Sequence, residues 1–494
     1  MKCAIPEISW HNRDPVLSID LQPQSSDGIL RLATGGTDSH MWSVTVGENG
    51  AGSVEFLSDL ARHQRSVNAV RFSPNGEILA SGDDEAVIML WMLKPKSDIP
   101  DLFSNKEMEA ENKENWIILK ILRGHMEDVY DICWSPDGSQ IMSGSVDNTA
   151  ILWDVTKGKS MQLLSEQKGF VQGVAWDPKN KFVATLSSDR SCRVYSLKTN
   201  KVVQKICLAL LKLGDSSEEK PYKLFHDDTL KTFCRRLNFS PDGLILFAPC
   251  GLLELNEVSS TTDENDSTKK EKRIHATYAF IRENNFAKPV AYYPSVDRYS
   301  VAVRCCPVLF ELRPGQPSLY DIPYRMIFAV ATENAILLYD TQQTEPFARI
   351  ARIHYTRLTD VAWSSNGRII VMSSTDGYCS IVTFSDGELG KPYESVKCVA
   401  EASSPSLPSS FQTLLQGEIF QENVQPVMTT DDEDFHLAYE DTEMTLDTPA
   451  SCPPTNSKLN SECPAALKSP NRVNVRNSPR RVKLITLSSP KAKN

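Results

Sequence analysis

Residues 123–154 read RGHMEDVYDICWSPDGSQIMSGSVDNTAILWD, and this stretch decides the fold. Gly124-His125 opens it, and the alternating run from Val129 to Trp134 predicts a strand. Ser135-Pro136-Asp137-Gly138 predicts a turn, because proline presets one φ and glycine accepts a positive one. Ile141 to Ser145 predicts a second strand and Asp147-Asn148 a tight turn. Ile151-Leu152-Trp153, closed by Asp154, predicts a third strand.

This grammar resembles one blade of a WD-repeat propeller. In that family a His, a Ser, an Asp and a Trp of each blade share a hydrogen-bond network. The matching residues here are His125, Ser143, Asp147 and Trp153. The chemistry fits, since a buried carboxylate needs donors and the other three supply them. His125, Asp147 and Ser143 are also the residue types of a nucleophilic triad. Their recurrence along the chain argues for a structural set.

The first-strand-plus-turn element recurs around Leu21, Phe72, Trp134, Trp176, Phe239, Cys305 and Trp363, seven copies in all. Those at Leu21 and Cys305 are weak matches that fall where a blade is needed. Trp134 and Trp176 are 42 residues apart, a WD-repeat spacing. Third-strand ends recur at Trp42, Trp91, Trp153, Tyr195 and Tyr339, and the fifth blade offers Tyr278-Ala279-Phe280. The expectation is an all-β, seven-bladed WD40-type β-propeller over residues 1–384, followed by a disordered tail over 385–494. Residues 5–10 are expected to supply a strand that completes the last blade. In blade 1, Asp38 lies four residues before Trp42 where six is usual, so its turn must be short. In blade 2, Glu85 is expected in the Asp position beside His63, Ser81 and Trp91. Insertions near 94–115, 208–222 and 254–273 read as surface loops by composition. The first is less plain, because Trp116 follows Lys113-Glu114-Asn115 directly.

Composition narrows the function. Charged residues make up 23% and hydrophobic ones 40%, ordinary values for a globular protein. No apolar run is long enough to span a bilayer, and the N-terminus lacks a signal-peptide core. The twelve cysteines show no CxxC pair and read as reduced core thiols of an intracellular protein. A net charge of −10 argues against a general DNA-binding surface and permits basic partners. No P-loop, GxSxG or HExxH occurs, and the eight histidines show no metal-ligand spacing, so neither catalysis, a cofactor nor a metal is expected.

The tail is compositionally distinct and its charge is segregated. Residues 418–447 carry ten acids and no Lys or Arg, whereas 464–494 carry eight Lys or Arg and no acids. Within the basic part lies SPRRVKLITLSSP, where apolar residues alternate behind paired arginines. Thr448, Ser469, Ser478 and Ser489 each precede proline and are candidate phosphorylation sites.

Beyond the generic repeat, six stretches carry a closer resemblance: FLSDLARHQRSVNAVRFSPNGEILASGDDEAVIMLW, KENWIILKILRGHMEDVYDICW, SVDNTAILWDV, VAVRCCPVLFELRP, LLYDTQQTEPF and SSTDGYCSIVTF. The chain from Ile5 to Phe384 resembles the WD-repeat middle subunits of chromatin assembly factor 1. The resemblance implies a nuclear role in depositing histones H3 and H4 on newly replicated or repaired DNA. It implies as partners the large subunit of that complex and its separate small WD-repeat histone-binding subunit. It also implies a tail motif for the anti-silencing type of histone chaperone, carried here by Arg480, Arg481, Val482, Leu484 and Leu487. A weaker echo, SPNRVNV at 469–475, lacks one arginine and one apolar position. No membrane contact and no sequence-specific DNA contact is expected.

Two other readings compete. A ubiquitin-ligase adaptor usually carries a Trp-Asp-x-Arg box, but Trp153-Asp154-Val155-Thr156 and Tyr339-Asp340-Thr341-Gln342 lack the arginine. The HIRA type of histone chaperone also joins a propeller to an Arg-Arg motif. It is expected to carry a second large domain downstream, for which the given sequence ends too soon.

Overall fold

The computed structural model describes residues 1–394, apart from 24, 26, 95–111, 212–219, 257–270, 296–297 and 317, together with 485–486. The predicted strands form a ring of seven antiparallel blades. The inner strand of blade 1 is Ser18–Leu21, of blade 2 Val67–Phe72, of blade 3 Val129–Trp134 and of blade 4 Val171–Trp176. Blades 5, 6 and 7 begin with Asn238–Phe239, Ser300–Phe310 and Leu358–Trp363. All seven sequence copies therefore fall on an inner strand, including the weak ones at Leu21 and Cys305. Several inner strands are buried along their whole length, while outer ones such as Lys201–Ile206 alternate between cover and solvent.

Blade 3 shows how the sequence dictates a blade. Val129–Trp134, Gln140–Ser145, Ala150–Asp154 and Lys159–Leu164 pair in order. Gly138 takes φ 70° in the first turn, where its N–H donates to the Ser135 carbonyl at 3.0 Å. Asn148 takes φ 65° in the second, a left-handed position that Asn tolerates. Gly124 has a different reason: a Cβ there would lie 2.9 Å from the Trp153 ring.

The ring closes between blades 7 and 1. Lys2–Ala4 pairs with Cys379–Thr383 as the outer strand of blade 7. The closing strand thus lies earlier than the expected 5–10. Pro6 has no N–H for a ladder, and the fully buried Trp10 belongs instead to the core that blade 1 shares with blade 7. The described ends of two insertions are strands. Leu208–Leu211 pairs with Lys220–Lys223 as a separate hairpin, and the central strands of blade 5 run to Asn256 and from Glu271. Just past the first insertion, Trp116 is buried, and its indole N–H donates to Glu114 at 3.0 Å. Glu114 in turn accepts from Arg31 of blade 1 at 2.7 Å.

Candidate functional site

The four residues read as a blade network are brought together. The Trp153 indole N–H donates to Ser143 Oγ at 2.8 Å, and Ser143 Oγ lies 2.7 Å from His125 Nε2. His125 Nδ1 stands 2.9 Å from Asp147 Oδ2. The Asp147 carboxylate can only accept, so His125 Nδ1 carries the proton and donates to it, and Ser143, which accepts from Trp153, donates its own proton to the bare Nε2. Burial by itself would raise the Asp147 carboxyl. The bonds from His125, Thr149 and the Met126 N–H outweigh it and hold the group well below the usual carboxylate range. Ser143 is fully buried and its hydroxyl is fully engaged, so the set offers no accessible nucleophile.

Other blades keep the logic with altered parts. In blade 2 the Asp position is filled by Asp83, not Glu85. Asp83 Oδ2 lies 2.6 Å from His63 Nδ1, and its other oxygen accepts the N–H groups of Glu85 and Val87 at 2.9 Å. The Glu85 side chain points outward toward Arg65. Blade 1 uses Thr34 for Ser, between Trp42 and His11, and its short turn brings Asp38 onto His11 Nδ1. In blade 4 Gln167 replaces the His and donates to Tyr195 at 2.9 Å. In blade 7 His354 contacts Asp376 and Ser380.

The central channel holds a second, ionic network that no spacing in the sequence signals. Arg71, Arg236, Asp131 and Asp360, all buried, come from blades 2, 5, 3 and 7. Arg71 lies 2.9 Å from Asp360, and Arg236 lies 3.3 Å from Asp131 and 3.5 Å from Asp360. Arg236 also donates to the carbonyls of Asn68 at 2.7 Å and Thr359 at 2.8 Å. Desolvation opposes charge on Asp360, but Arg236, Arg71 and, at 3.8 Å, Arg304 keep its carboxyl below the ordinary range. Asp20, where desolvation dominates, is pushed up to about 6.

Loops that lead into the inner strands expose Met126, Phe170, Phe233 and Tyr355 on one face of the ring. Phe233 stands edge-on to Tyr130 at 6.3 Å, beside a cavity of about 50 Å³ lined by Leu17, Val301, Leu358 and Arg357. A second feature is at the rim. Ile485–Thr486 adds antiparallel to the outer strand of blade 6, Gln343–Ala351, with Ile485 opposite Arg349 and Thr486 opposite Ala348. Arg480, Arg481, Val482, Leu484 and Leu487, and the candidate phosphorylation sites Thr448, Ser469, Ser478 and Ser489, lie outside the described residues.

Seven blades, five of them with buried side-chain networks of this kind, define a WD-repeat propeller. Residues 1–389 match the CAF1B/HIR1 beta-propeller domain, and the chain belongs to that family. It is 47% identical over 405 residues to the B subunit of chromatin assembly factor 1 from Gallus gallus, covering 79% of this chain and 69% of that one. The same B subunit from Mus musculus gives 47% over 405 residues, 79% and 68%. Protein HIR1 of Kluyveromyces lactis is 26% identical over 406 residues, covering 77% of this chain and 42% of that protein. Family membership and these relatives give the chain a role in chromatin assembly.

Proposed function

We propose that the protein is a non-catalytic, nuclear scaffold that helps deposit histones H3 and H4 on replicated or repaired DNA. Its propeller docks the large subunit of the complex, and the small WD-repeat histone-binding subunit joins through that assembly. Its tail recruits the anti-silencing type of histone chaperone. The observation that carries the tail reading is the strand at Ile485–Thr486, which lies inside SPRRVKLITLSSP and already adds to a sheet edge. An extended segment with period-two alternation suits the same addition to a partner's sheet. Arg480 and Arg481 supply forked donors for carboxylates of an acidic partner. The exposed loop face, with Met126, Phe233 and Tyr355, suits an apolar anchor of the large subunit. The sealed His125–Ser143 pair supports the non-catalytic reading.

The test is a replication-coupled assembly assay with the three-subunit complex. Omission of this chain is expected to abolish supercoiling by H3–H4 deposition, and adding it back to restore it. Full deposition without it contradicts the proposal.

A further inference from the structure

We propose that the central channel, at the end remote from the exposed loops, binds an organic carboxylate through Arg304 and Asn238. The inner strands run away from the face that carries Met126 and Phe233, and blades 2, 3 and 4 end theirs on Phe72, Trp134 and Trp176. These three side chains, with Arg71, Asn238 of blade 5 and Arg304 of blade 6, surround a cavity of about 220 Å³. Such a space holds several water molecules and admits a small acid or one short side chain.

The polar side chains of this lining are donors. Asn238 Oδ1 accepts the Cys305 N–H at 2.9 Å, which also makes Asn238 a neighbour of Arg304 across the join of blades 5 and 6. A backbone N–H can only donate, so the amide oxygen is fixed there and the Nδ2 donors are the free end. The one carboxylate oxygen near Arg304 among the described residues, Asp360 Oδ1, stands 3.8 Å away, too far for a hydrogen bond. Arg304 Nη2 and Arg71 Nε are buried and have no hydrogen-bond partner among the described residues. The lining holds no aspartate or glutamate among the described residues. Burial keeps the Cys133 thiol, another lining group, well above its ordinary value, so it adds no negative charge.

The channel as a whole sets Arg71, Arg236 and Arg304 beside Asp20, Asp131 and Asp360, so the pull on an anion is local. Asp131 and Asp360 are held by Arg71 and Arg236, and Asp20 accepts the Phe72 N–H at 2.8 Å. Arg304 is the channel arginine without a close carboxylate. Burial and the neighbouring Arg71 push its guanidinium below the usual range, as expected of a cation short of a counter-ion. A carboxylate forked on that guanidinium supplies one, with Asn238 Nδ2 as a further donor. The apolar walls from Phe72, Trp134 and Trp176 cover the stem of an organic acid and favour it over inorganic phosphate. The same chemistry is offered by a free small acid and by an acidic side chain of a partner.

The experiment uses full-length protein in chloride buffer, with propionate, a capped Gly-Glu-Gly peptide and inorganic phosphate as probes, read by ligand-observed NMR. Beside wild type stand Arg304→Gln and Asn238→Asp, the latter keeping the acceptor for the Cys305 N–H while losing the free donor. Melting curves check that each variant folds, and Asn238→Asp carries the test if Arg304→Gln does not. The expected result is saturable carboxylate binding by wild type, in the millimolar range open to a ligand of so few atoms. Each folded variant should lose about ten-fold or more in affinity. A peptide bound at least as tightly as propionate assigns the site to a partner's acidic side chain, and a weaker one assigns it to a free acid. No saturable binding of either carboxylate, tighter binding of phosphate than of both, or wild-type affinity in folded Asn238→Asp overturns the site.

Discussion

Arg71 on blade 2 and Asp360 on blade 7 meet at 2.9 Å, bridging two blades that are not neighbours. Ser18 of blade 1 sits between them, accepting from Arg71 at 2.9 Å and donating to Asp360 at 3.1 Å. Arg236 reaches the same carboxylate from blade 5. A buried ion pair is a weak sign of net stability, but breaking one leaves an uncompensated charge. Asp360→Ala is therefore expected to cost about 3–5 kcal/mol in chemical denaturation, in line with other broken buried pairs. A loss under about 1 kcal/mol would show that the network is not a closing element.

The acids of the channel titrate in opposite senses. Asp360 has a lowered folded pKa, so its contribution is fully present above the ordinary carboxylate value and is lost as pH falls through the folded one. Asp20 is raised to about 6, so the folded state holds the extra proton and its charge destabilises as pH rises from ~4 toward 6. The stability of Asp20→Asn relative to wild type should thus grow by on the order of 1–2 kcal/mol between pH 4 and pH 7. Parallel stability curves for the two proteins would contradict this assignment.

In blade 3, His125→Ala removes the donor to Asp147 and the acceptor for Ser143. The expected cost is about 1–3 kcal/mol in stability, with partner binding kept below the melting transition. Loss of partner binding by a fully folded variant would assign His125 a direct role that its burial argues against.

These outcomes reflect what sequence can and cannot carry. The register of blade 3 is legible because Pro136-Asp137-Gly138 and Asp147-Asn148 fix both turns, leaving Trp153 one place to pack. Glu85 misleads because position counting assumes one turn shape. Asp83, at the end of its strand, caps the turn by accepting Glu85 and Val87 N–H groups, which turns its carboxylate to His63. The channel pair Arg71–Asp360 is invisible for another reason. Ring closure, not local spacing, brings the two together. The tail motif is legible as alternation behind paired arginines, whereas the blade edge that its strand pairs with is not.

Modification of the tail gives a direct handle. Phosphate on Ser478, two residues before Arg480, should compete for the arginines. A peptide spanning 476–494 with phosphoserine at 478 is expected to bind the chaperone about ten-fold more weakly, the equivalent of one lost charge-assisted contact. Equal affinities by titration calorimetry would remove this regulatory step.

The central claim is that the propeller and the tail engage different partners. Full-length protein, the Arg480→Ala/Arg481→Ala variant and a chain ending at Phe384 should be used to capture partners from nuclear extract. All three are expected to retain the large subunit, and only full-length wild type is expected to retain the anti-silencing-type chaperone. Equal chaperone capture by all three, or loss of the large subunit from the shortened chain, would contradict it.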